Sequence, residues 1–296
     1  MKKRLVKDKL AKSLMSGLVF FTLGLALVMF LVLYWKSIPI LEVNSIGKLL
    51  IAREWKPSQG KFGFLPFICG TLWVTIISLI ISVPVCVLSA IYLMEYSPRR
   101  IRELAKPLID LLAGIPSVVY GVWGVTVVVP LVKNHLAPAF GVATSGYCVL
   151  SGGIVLAIMI SPVIMHISLE VLGSVPFELR ETSLTLGATK WQMIKSTVLR
   201  KALPGIIAGI SLGLARAFGE TMAVLMVTGN VAKLPKSVFD PAYTLPALIA
   251  NNYGEMLSVP LYDSALLLAS LILLIVTLAF SILARIILLR IEGKSL

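Results

Sequence analysis

The chain has 296 residues, of which 58% are hydrophobic and 14% are charged, and its formal net charge is +13. A soluble domain carries about a quarter of its residues as charged ones, so this composition excludes an ordinary soluble protein. Most of the positive charge flanks long apolar runs, which indicates basic segments held on the inner side of a membrane rather than nucleic-acid binding. The sequence therefore predicts an all-α integral membrane protein surrounded by membrane lipid, with no nucleic acid as a partner.

Six apolar stretches are each long enough to cross a bilayer, which takes about 20 residues. They are too long and too uniformly apolar for the strands of an outer-membrane barrel, which alternate over about ten residues. In chain order the predicted spans are Ser13–Trp35, Phe62–Met94, Leu111–Val132, 136–170, Leu203–Gly229 and Ser264–Ala284.

The first stretch follows basic residues as a signal peptide does, but it exceeds the apolar region of about 7–15 residues that a signal peptide has. We therefore expect an uncleaved anchor helix and divide the chain in two. Residues 1–65 hold the anchor and a first external loop, expected to be irregular over Lys36–Leu65, and residues 66–296 hold a core of five spans. A short surface helix is predicted in the string TLPALIANNYGEM before the last span.

The distribution of basic residues predicts the orientation. Segments 1–12, 95–107, 173–203 and 285–296 hold 18 of the 27 Lys and Arg residues, and the intervening loops 36–65, 133–148 and 229–263 hold 8. Basic residues are retained in the cytoplasm, so both termini are predicted to be cytoplasmic.

Two charged residues interrupt the fifth apolar stretch, Arg216 and Glu220 in the string LGLARAFGETMAVLM. A charge at the bilayer centre costs about 2.5–3.5 kcal/mol on insertion scales, so it must be met by partners, water or function. Glu220 follows by four residues, so in a continuous helix it lies on the same face and can hold the guanidinium. The pair either lines a path for an oxyanion, which a guanidinium binds with two parallel hydrogen bonds, or only fixes helix packing.

Three further polar residues are candidates for lining such a path, although single polar residues in spans more often bond to backbone or to a neighbouring helix. These candidates are Thr221, Ser117 and Tyr120.

The longest polar interval between spans reads VPFELRETSLTLGATKWQMIKSTVLRKALP, over about residues 175–204. Pro176 suits the start of a helix, where proline is pre-organised. Gly187 breaks the run, and apolar residues recur at helical spacing over Ala188–Leu199. The sequence predicts two short helices that meet at Gly187 and project toward the cytoplasm.

The spacing of Glu181, Thr182 and Ser183 before Gly187 resembles the EAA loop of ABC-importer permeases. In that family the loop is the coupling helix, which docks in a groove of the ATP-binding subunit. The resemblance implies that the ATPase contact involves Glu178, Glu181, Thr182, Ser183, Gly187 and Ala188. A side chain at Gly187 is expected to hold the two helices apart.

The hairpin also departs from the family pattern, because Thr182 and Ser183 stand in place of alanines, Thr197 in place of isoleucine and Arg200 in place of proline. From the hairpin alone, an amphipathic pair of helices lying on the membrane surface is the alternative.

Three longer strings match as well. They are GTLWVTIISLIISVPVCVLSAIYLMEY from Gly70, IPSVVYGVWG from Ile115 and RAFGETMAVLMVTGN from Arg216. Together they are similar to the phosphate-specific permeases, and to the PstC type more than to its PstA-type partner. The resemblance implies a six-span, type I ABC-importer permease with a cytoplasmic coupling helix. It also implies a second, PstA-like permease, ATP-binding subunits and an extracytoplasmic phosphate-binding protein as partners, with phosphate as cargo.

The chain has no G-x-x-x-x-G-K-[ST] loop, so we expect no bound cofactor, no enzymatic activity of its own, and ATP use by a partner subunit. Two isolated histidines, His135 and His166, suggest no metal site, and three cysteines suggest no disulfide framework. Two alternatives stay open: a permease for another oxyanion, sulfate or molybdate, and an ATP-independent secondary anion carrier.

Overall fold

The computed structural model describes residues 2–255 and 258–292. Within these ranges it has six helices that are long and apolar enough to cross a membrane, which confirms the predicted number. We call them spans 1 to 6 in chain order: Lys2–Val43, Leu65–Tyr96, Ser117–Ala139, Val149–Ser174, Lys190–Gly219 and Tyr262–Glu292.

Shorter elements join the spans. The helices are Ile46–Ile51, Arg99–Gly114, Phe177–Thr185, Met222–Val227 and Leu245–Asn252, and a 3₁₀ turn covers Pro57–Gln59. Two short strands, Trp55–Lys56 and Lys61–Phe62, pair antiparallel with Trp55 opposite Phe62. Spans 2, 3 and 5 also contain π-helical turns, at Tyr92–Tyr96, Gly124–Val128, Val132–Leu136 and Ile194–Val198.

The first loop is more regular than its proline and glycine content predicts. Span 1 continues to Val43 through Pro39, and the helix Ile46–Ile51 and the strand pair follow. The prediction of an irregular segment over Lys36–Leu65 is therefore wrong in its first half, since neighbouring groups in a membrane protein can satisfy the backbone that a proline frees.

The third span begins later than predicted. The run from Leu111 is divided, because Ile115 and Pro116 have extended backbone with ψ of 129° and 140°. Proline disfavours helical geometry in the residue before it and has no N–H to donate. The charged part of the run forms the amphipathic helix Arg99–Gly114, and the span itself is Ser117–Ala139.

Span 4 lies at the centre of the bundle, between spans 2 and 5. Span 5 presents Gly205, Gly209 and Gly213, one turn apart, to span 4. A Cβ built on each would lie 2.5–2.9 Å from side-chain atoms of Val171, Ile167 and Ile164 respectively. Small residues at this spacing let two membrane helices pack backbone to backbone.

Span 1 packs along span 6 at the side of the bundle. Because six crossings return the chain to the side on which it started, Lys2 and Glu292 lie at the end that also carries Gly187. We call this the hairpin end and the other the opposite end.

The helix Leu245–Asn252 at the opposite end was predicted to lie on the surface, and this prediction is wrong. Leu245, Ala247 and Leu248 have no exposed surface, because the helix packs against spans 2 and 6. Its apolar residues therefore belong to the core that closes the opposite end of the bundle.

Candidate functional site

Span 5 ends in the middle of the apolar stretch that carries the two charged residues. Its last helical residue is Gly219, Glu220 has extended backbone (φ −74°, ψ 126°), and a new helix runs from Met222 to Val227. Glycine is a poor helix former, and the Glu220 carboxylate accepts a hydrogen bond from the Ala223 N–H at 3.1 Å. That bond satisfies one of the free donors at the start of the second helix, so the break is built into the local sequence.

The break overturns two expectations. The continuous helix predicted over Leu203–Gly229 is wrong, and the described residues show no ion pair between Arg216 and Glu220. The Arg216 side chain is exposed, and none of the ion pairs in the described part of the chain includes it. The structure thus leaves an exposed cation within a membrane span, next to an interruption of the helix.

Glu220 is half-buried and turns to the interior of the bundle. It lines a narrow cavity together with Thr71 and Thr75 of span 2 and with Thr244, next to the helix Leu245–Asn252. The hydroxyl of Thr244 is buried and has no hydrogen-bond partner among the described residues. Sequence reasoning missed this polar surface, because isolated threonines more than twenty residues from the charged pair give no local signal.

The three polar candidates lie around the same break. The Tyr120 hydroxyl donates to the Leu112 carbonyl at 2.7 Å, and the Thr221 hydroxyl donates to the Gly219 carbonyl at 3.3 Å. Ser117 is half-buried at the start of span 3. The start of span 3 packs against the Met222–Val227 helix, which follows the break.

Span 3 approaches the Met222–Val227 helix closely. A Cβ on Gly121 would lie 2.5 Å from the Met226 sulfur and 3.3 Å from the Ala223 Cα. This close packing holds Ser117 and Tyr120 beside the break, and it places an arginine, a carboxylate and several hydroxyls at one level of the bundle. A guanidinium and hydroxyl groups are donors that can form hydrogen bonds to an oxyanion.

The predicted hairpin is present at the hairpin end. Its first helix is Phe177–Thr185, and the second begins at Lys190 and continues without interruption into span 5. The Gly187 N–H donates to the Leu184 carbonyl at 3.0 Å, and the Ala188 N–H donates to the Ser183 carbonyl at 3.2 Å. These two bonds form a Schellman motif, which requires the left-handed backbone that Gly187 adopts at φ +87°.

Gly187 is needed for a different reason from the one expected. A Cβ built there meets no atom within 4 Å, so a side chain at the bend would not hold the helices apart. The constraint is the positive φ, which costs a residue with a Cβ about 1–2 kcal/mol. A second local signal was missed in the sequence: Thr189 and Gln192 form a capping box at the start of the second helix, with bonds of 3.3 and 2.8 Å.

The hairpin surface is accessible. Glu178, Glu181, Thr182 and Gly187 are exposed, and Ser183 and Ala188 are half-buried. Large apolar side chains stand among them, with exposed fractions of 65% for Phe177, 83% for Leu186 and 51% for Trp191. An exposed apolar patch with a polar rim is typical of a protein interaction site.

The chain matches a family model described as "Binding-protein-dependent transport system inner membrane component" over residues 82–293. Among curated proteins it is 38% identical to "Phosphate transport system permease protein PstC" of Xylella fastidiosa (strain 9a5c), with 97% of this chain and 92% of that protein covered. It is 40% identical to "Probable ABC transporter permease protein YqgH" of Bacillus subtilis (82% and 78%), and 33% identical to "Probable phosphate transport system permease protein PstC" of Methanocaldococcus jannaschii (84% and 83%).

Solved structures show the same fold at low sequence identity. A bacterial alginate ABC transporter in complex with an alginate pentasaccharide-bound periplasmic protein aligns with a TM-score of 0.59 at 18% identity, over 90% of this chain and 92% of that one. The inward-facing MetNI methionine ABC transporter aligns with a TM-score of 0.54 at 19% identity, over 77% and 94%. The fold is thus that of ABC-importer permeases, and the protein is a multi-pass protein of the inner membrane. The chain belongs to the family of binding-protein-dependent transport system inner membrane components.

Proposed function

We propose that this chain is the permease subunit of an ATP-driven inorganic phosphate importer. The observation that carries the proposal is the exposed guanidinium of Arg216 at a break in span 5, in a chain 38% identical to a protein named as a phosphate permease. Arginine keeps its charge at any working pH and binds an oxyanion through two parallel hydrogen bonds. The anion path then runs past Arg216, with Glu220, Thr221, Ser117 and Tyr120 around it.

The broken span supports a path at this level of the bundle. Discontinuous helices leave backbone donors and acceptors free within the membrane, where they can bind an ion while it crosses. In this conformation the Tyr120 and Thr221 hydroxyls donate to backbone carbonyls, whereas the Arg216 guanidinium is in none of the ion pairs of the described residues and can donate to an anion.

The hairpin supports coupling to a motor. Its exposed apolar and acidic residues form a compact surface joined directly to span 5, which carries Arg216. We propose that this surface docks on an ATP-binding subunit through Glu178, Glu181, Thr182, Ser183, Gly187 and Ala188. The hairpin end and both termini are then cytoplasmic, with a second, PstA-like permease beside this chain and a phosphate-binding protein at the opposite end.

In this assembly residues 66–296 form the permease core and residues 1–65 add the anchor span and the external loop. The chain binds no cofactor and catalyses no reaction itself, and the partner subunit hydrolyses ATP. Closure of the ATP-binding pair moves the hairpin, and the spans alternate between outward- and inward-facing states.

The proposal is tested by reconstituting the chain with its second permease, ATP-binding subunits and phosphate-binding protein in liposomes. We expect uptake of labelled phosphate that requires ATP and all four components. If sulfate or molybdate, at the same concentration as phosphate, abolishes the uptake of labelled phosphate, then the natural cargo is that other oxyanion. Gradient-driven uptake by this chain alone would identify a secondary carrier and contradict the proposal.

A further inference from the structure

A buried ion pair joins the hairpin to span 2. Arg180, in the helix Phe177–Thr185, donates to one carboxylate oxygen of Glu95 from Nη2 at 2.9 Å and from Nε at 3.2 Å. The exposed fractions of the two side chains are only 13% and 6%. The partners are 85 residues apart in sequence, so the pair is a tertiary contact between the hairpin helix and the last turn of span 2.

The same guanidinium also contacts the end of span 4. Its Nη2 donates to the Leu172 carbonyl at 2.8 Å, and its Nη1 donates to the Val175 carbonyl. The last carbonyls of a helix have no partner within the helix, and the negative end of the helix dipole favours a cation there. Arg180 therefore occupies a junction where three segments meet: the hairpin helix, the end of span 2 and the end of span 4.

A second arginine secures the span 2 side of this junction. Arg102, in the amphipathic helix Arg99–Gly114, donates to the Leu93 carbonyl at 3.0 Å and also to the Met94 carbonyl. Both carbonyls immediately precede Glu95, so the backbone that carries this carboxylate is held in place. The acceptor for Arg180 is thus pre-positioned.

The two ends of the hairpin helix are attached in different ways. At its first turns Arg180 binds spans 2 and 4 through directional, charge-assisted hydrogen bonds. At its far end the connection to span 5 is the Gly187 turn, where a Cβ would meet no atom within 4 Å. The hairpin helix is therefore tied to spans 2 and 4 through Arg180, and it packs directly against the start of span 5.

We infer that Arg180 is a positioning residue for coupling: it ties the hairpin helix to the ends of spans 2 and 4, so that a displacement of the hairpin by the ATP-binding subunit moves both spans with it. The inference rests on the proposed function insofar as an ATP-binding subunit docks on the hairpin. Arg180 and Glu95 belong neither to the residues expected to contact the ATP-binding subunit nor to those proposed to line the anion path, so this role is additional.

The first test compares coupling in Arg180→Gln and Glu95→Gln with coupling in the natural chain, each in the complete complex in liposomes. Glu95→Gln keeps the size and a hydrogen-bond acceptor, so it tests the ion pair even if Arg180→Gln fails to assemble. We expect ATP hydrolysis to persist while phosphate imported per ATP falls about tenfold, a change typical of removing one contact from a coupling network.

The matched control is the exposed pair Arg99 and Glu103 at the same end of the bundle, with exposed fractions of 86% and 59%. Arg99→Gln and Glu103→Gln should leave the ratio of import to hydrolysis unchanged. A merely structural role for Arg180 predicts less assembled complex with a normal ratio. The inference is overturned if Arg180→Gln and Glu95→Gln both import a normal amount of phosphate per ATP hydrolysed. If Arg180→Gln fails to assemble, a normal ratio in Glu95→Gln alone overturns it.

The second test needs no cargo, so it separates this inference from the phosphate assignment. Spin labels are placed at Leu184 in the hairpin helix, which is 46% exposed, and at Tyr92 in span 2, which is 57% exposed, after replacement of the three natural cysteines. With Arg180 present, we expect one narrow distance that is the same in the ATP-free and the ATP-trapped complex.

In Glu95→Gln the same distance should broaden and shift when ATP is trapped. A distance that already shifts in the natural chain, or that stays narrow and fixed in Glu95→Gln, contradicts a rigid attachment. If phosphate import fails in the natural complex while these distances behave as expected, the cargo assignment is wrong and the attachment stands.

Discussion

Arg216 stands out in the sequence, but the sequence does not predict the backbone around it correctly. A charge in an apolar stretch is visible in the sequence because ionised side chains are costly, and therefore rare, near the bilayer centre. Its relation to Glu220 depends on whether the helix continues, and Gly219 together with the bond from Ala223 to the Glu220 carboxylate ends it. A spacing of four residues allows an ion pair between them, but the helix ends at Gly219 and none of the ion pairs among the described residues joins the two.

We predict that Arg216→Gln lowers phosphate import about ten- to a hundredfold, because a hydrogen bond to a charged group contributes about 1.5–3 kcal/mol. Import is measured in the reconstituted complex at limiting phosphate. Arg285→Gln, an exposed arginine near the end of span 6, is the control and should import normally. If Arg216→Gln imports phosphate at the normal rate, the assignment of Arg216 to the anion path is wrong.

The glycines of span 5 are a second residue-scale feature with a measurable consequence. Gly209→Val places a Cβ 2.9 Å from the Ile167 side chain and forces spans 4 and 5 apart, and overpacking of this kind costs about 1–3 kcal/mol. We expect a lower unfolding midpoint for the purified protein in detergent. Gly24→Val in span 1, where a Cβ meets no atom within 4 Å, should unfold like the natural chain. Equal midpoints for both variants would show that the two spans do not pack this closely.

At the scale of elements, the number of spans could be predicted and their ends could not. An apolar run of about 20 residues indicates a membrane-spanning helix, independently of the elements that pack against it. The ends depend on single residues: Pro116 separates an amphipathic helix from span 3, and Gly219 divides the fifth apolar stretch. The helix Leu245–Asn252 is buried by segments distant in sequence, and Arg180 and Glu95 are likewise far apart in the chain. Neither contact can therefore be predicted from a local sequence pattern.

The hairpin is the element whose role is most directly testable. We predict that Gly187→Asp loses the ATP-binding subunit on co-purification while membrane insertion stays normal, because the substitution strains the Schellman turn and adds a charge to the docking surface. Gly141→Asp is a close match at the opposite end, since Gly141 also has positive φ (+67°) and open surroundings. That variant should retain the ATP-binding subunit. If both variants retain it, the hairpin is not the docking surface.

At the scale of the whole molecule, the fold and the distribution of basic residues both place the hairpin and the two ends of the described chain on the same side of the membrane. The hairpin, Lys2 and Glu292 lie at one end of the bundle, and the sequence segments assigned to that side carry 18 of the 27 basic residues. The loop 36–65 at the other end is the exception, with five. Within it Lys61 is paired with Glu54 at 2.8 Å, and Lys36 still belongs to the helix of span 1. Long external segments follow the positive-inside rule loosely, so this loop does not outweigh the rest.

This orientation predicts which cysteine variants a membrane-impermeant maleimide reaches in intact cells. With the natural cysteines replaced, a thiol at Ser58 in the first external loop should be labelled at once, because that residue is exposed at the opposite end of the bundle. A thiol at Leu186 is as accessible in the folded chain, at 83% exposed, but should be labelled only after the membrane is permeabilised. The reverse pattern would place the hairpin outside the cell, where no ATP-binding subunit can reach it, and would overturn both the orientation and the coupling role of the hairpin.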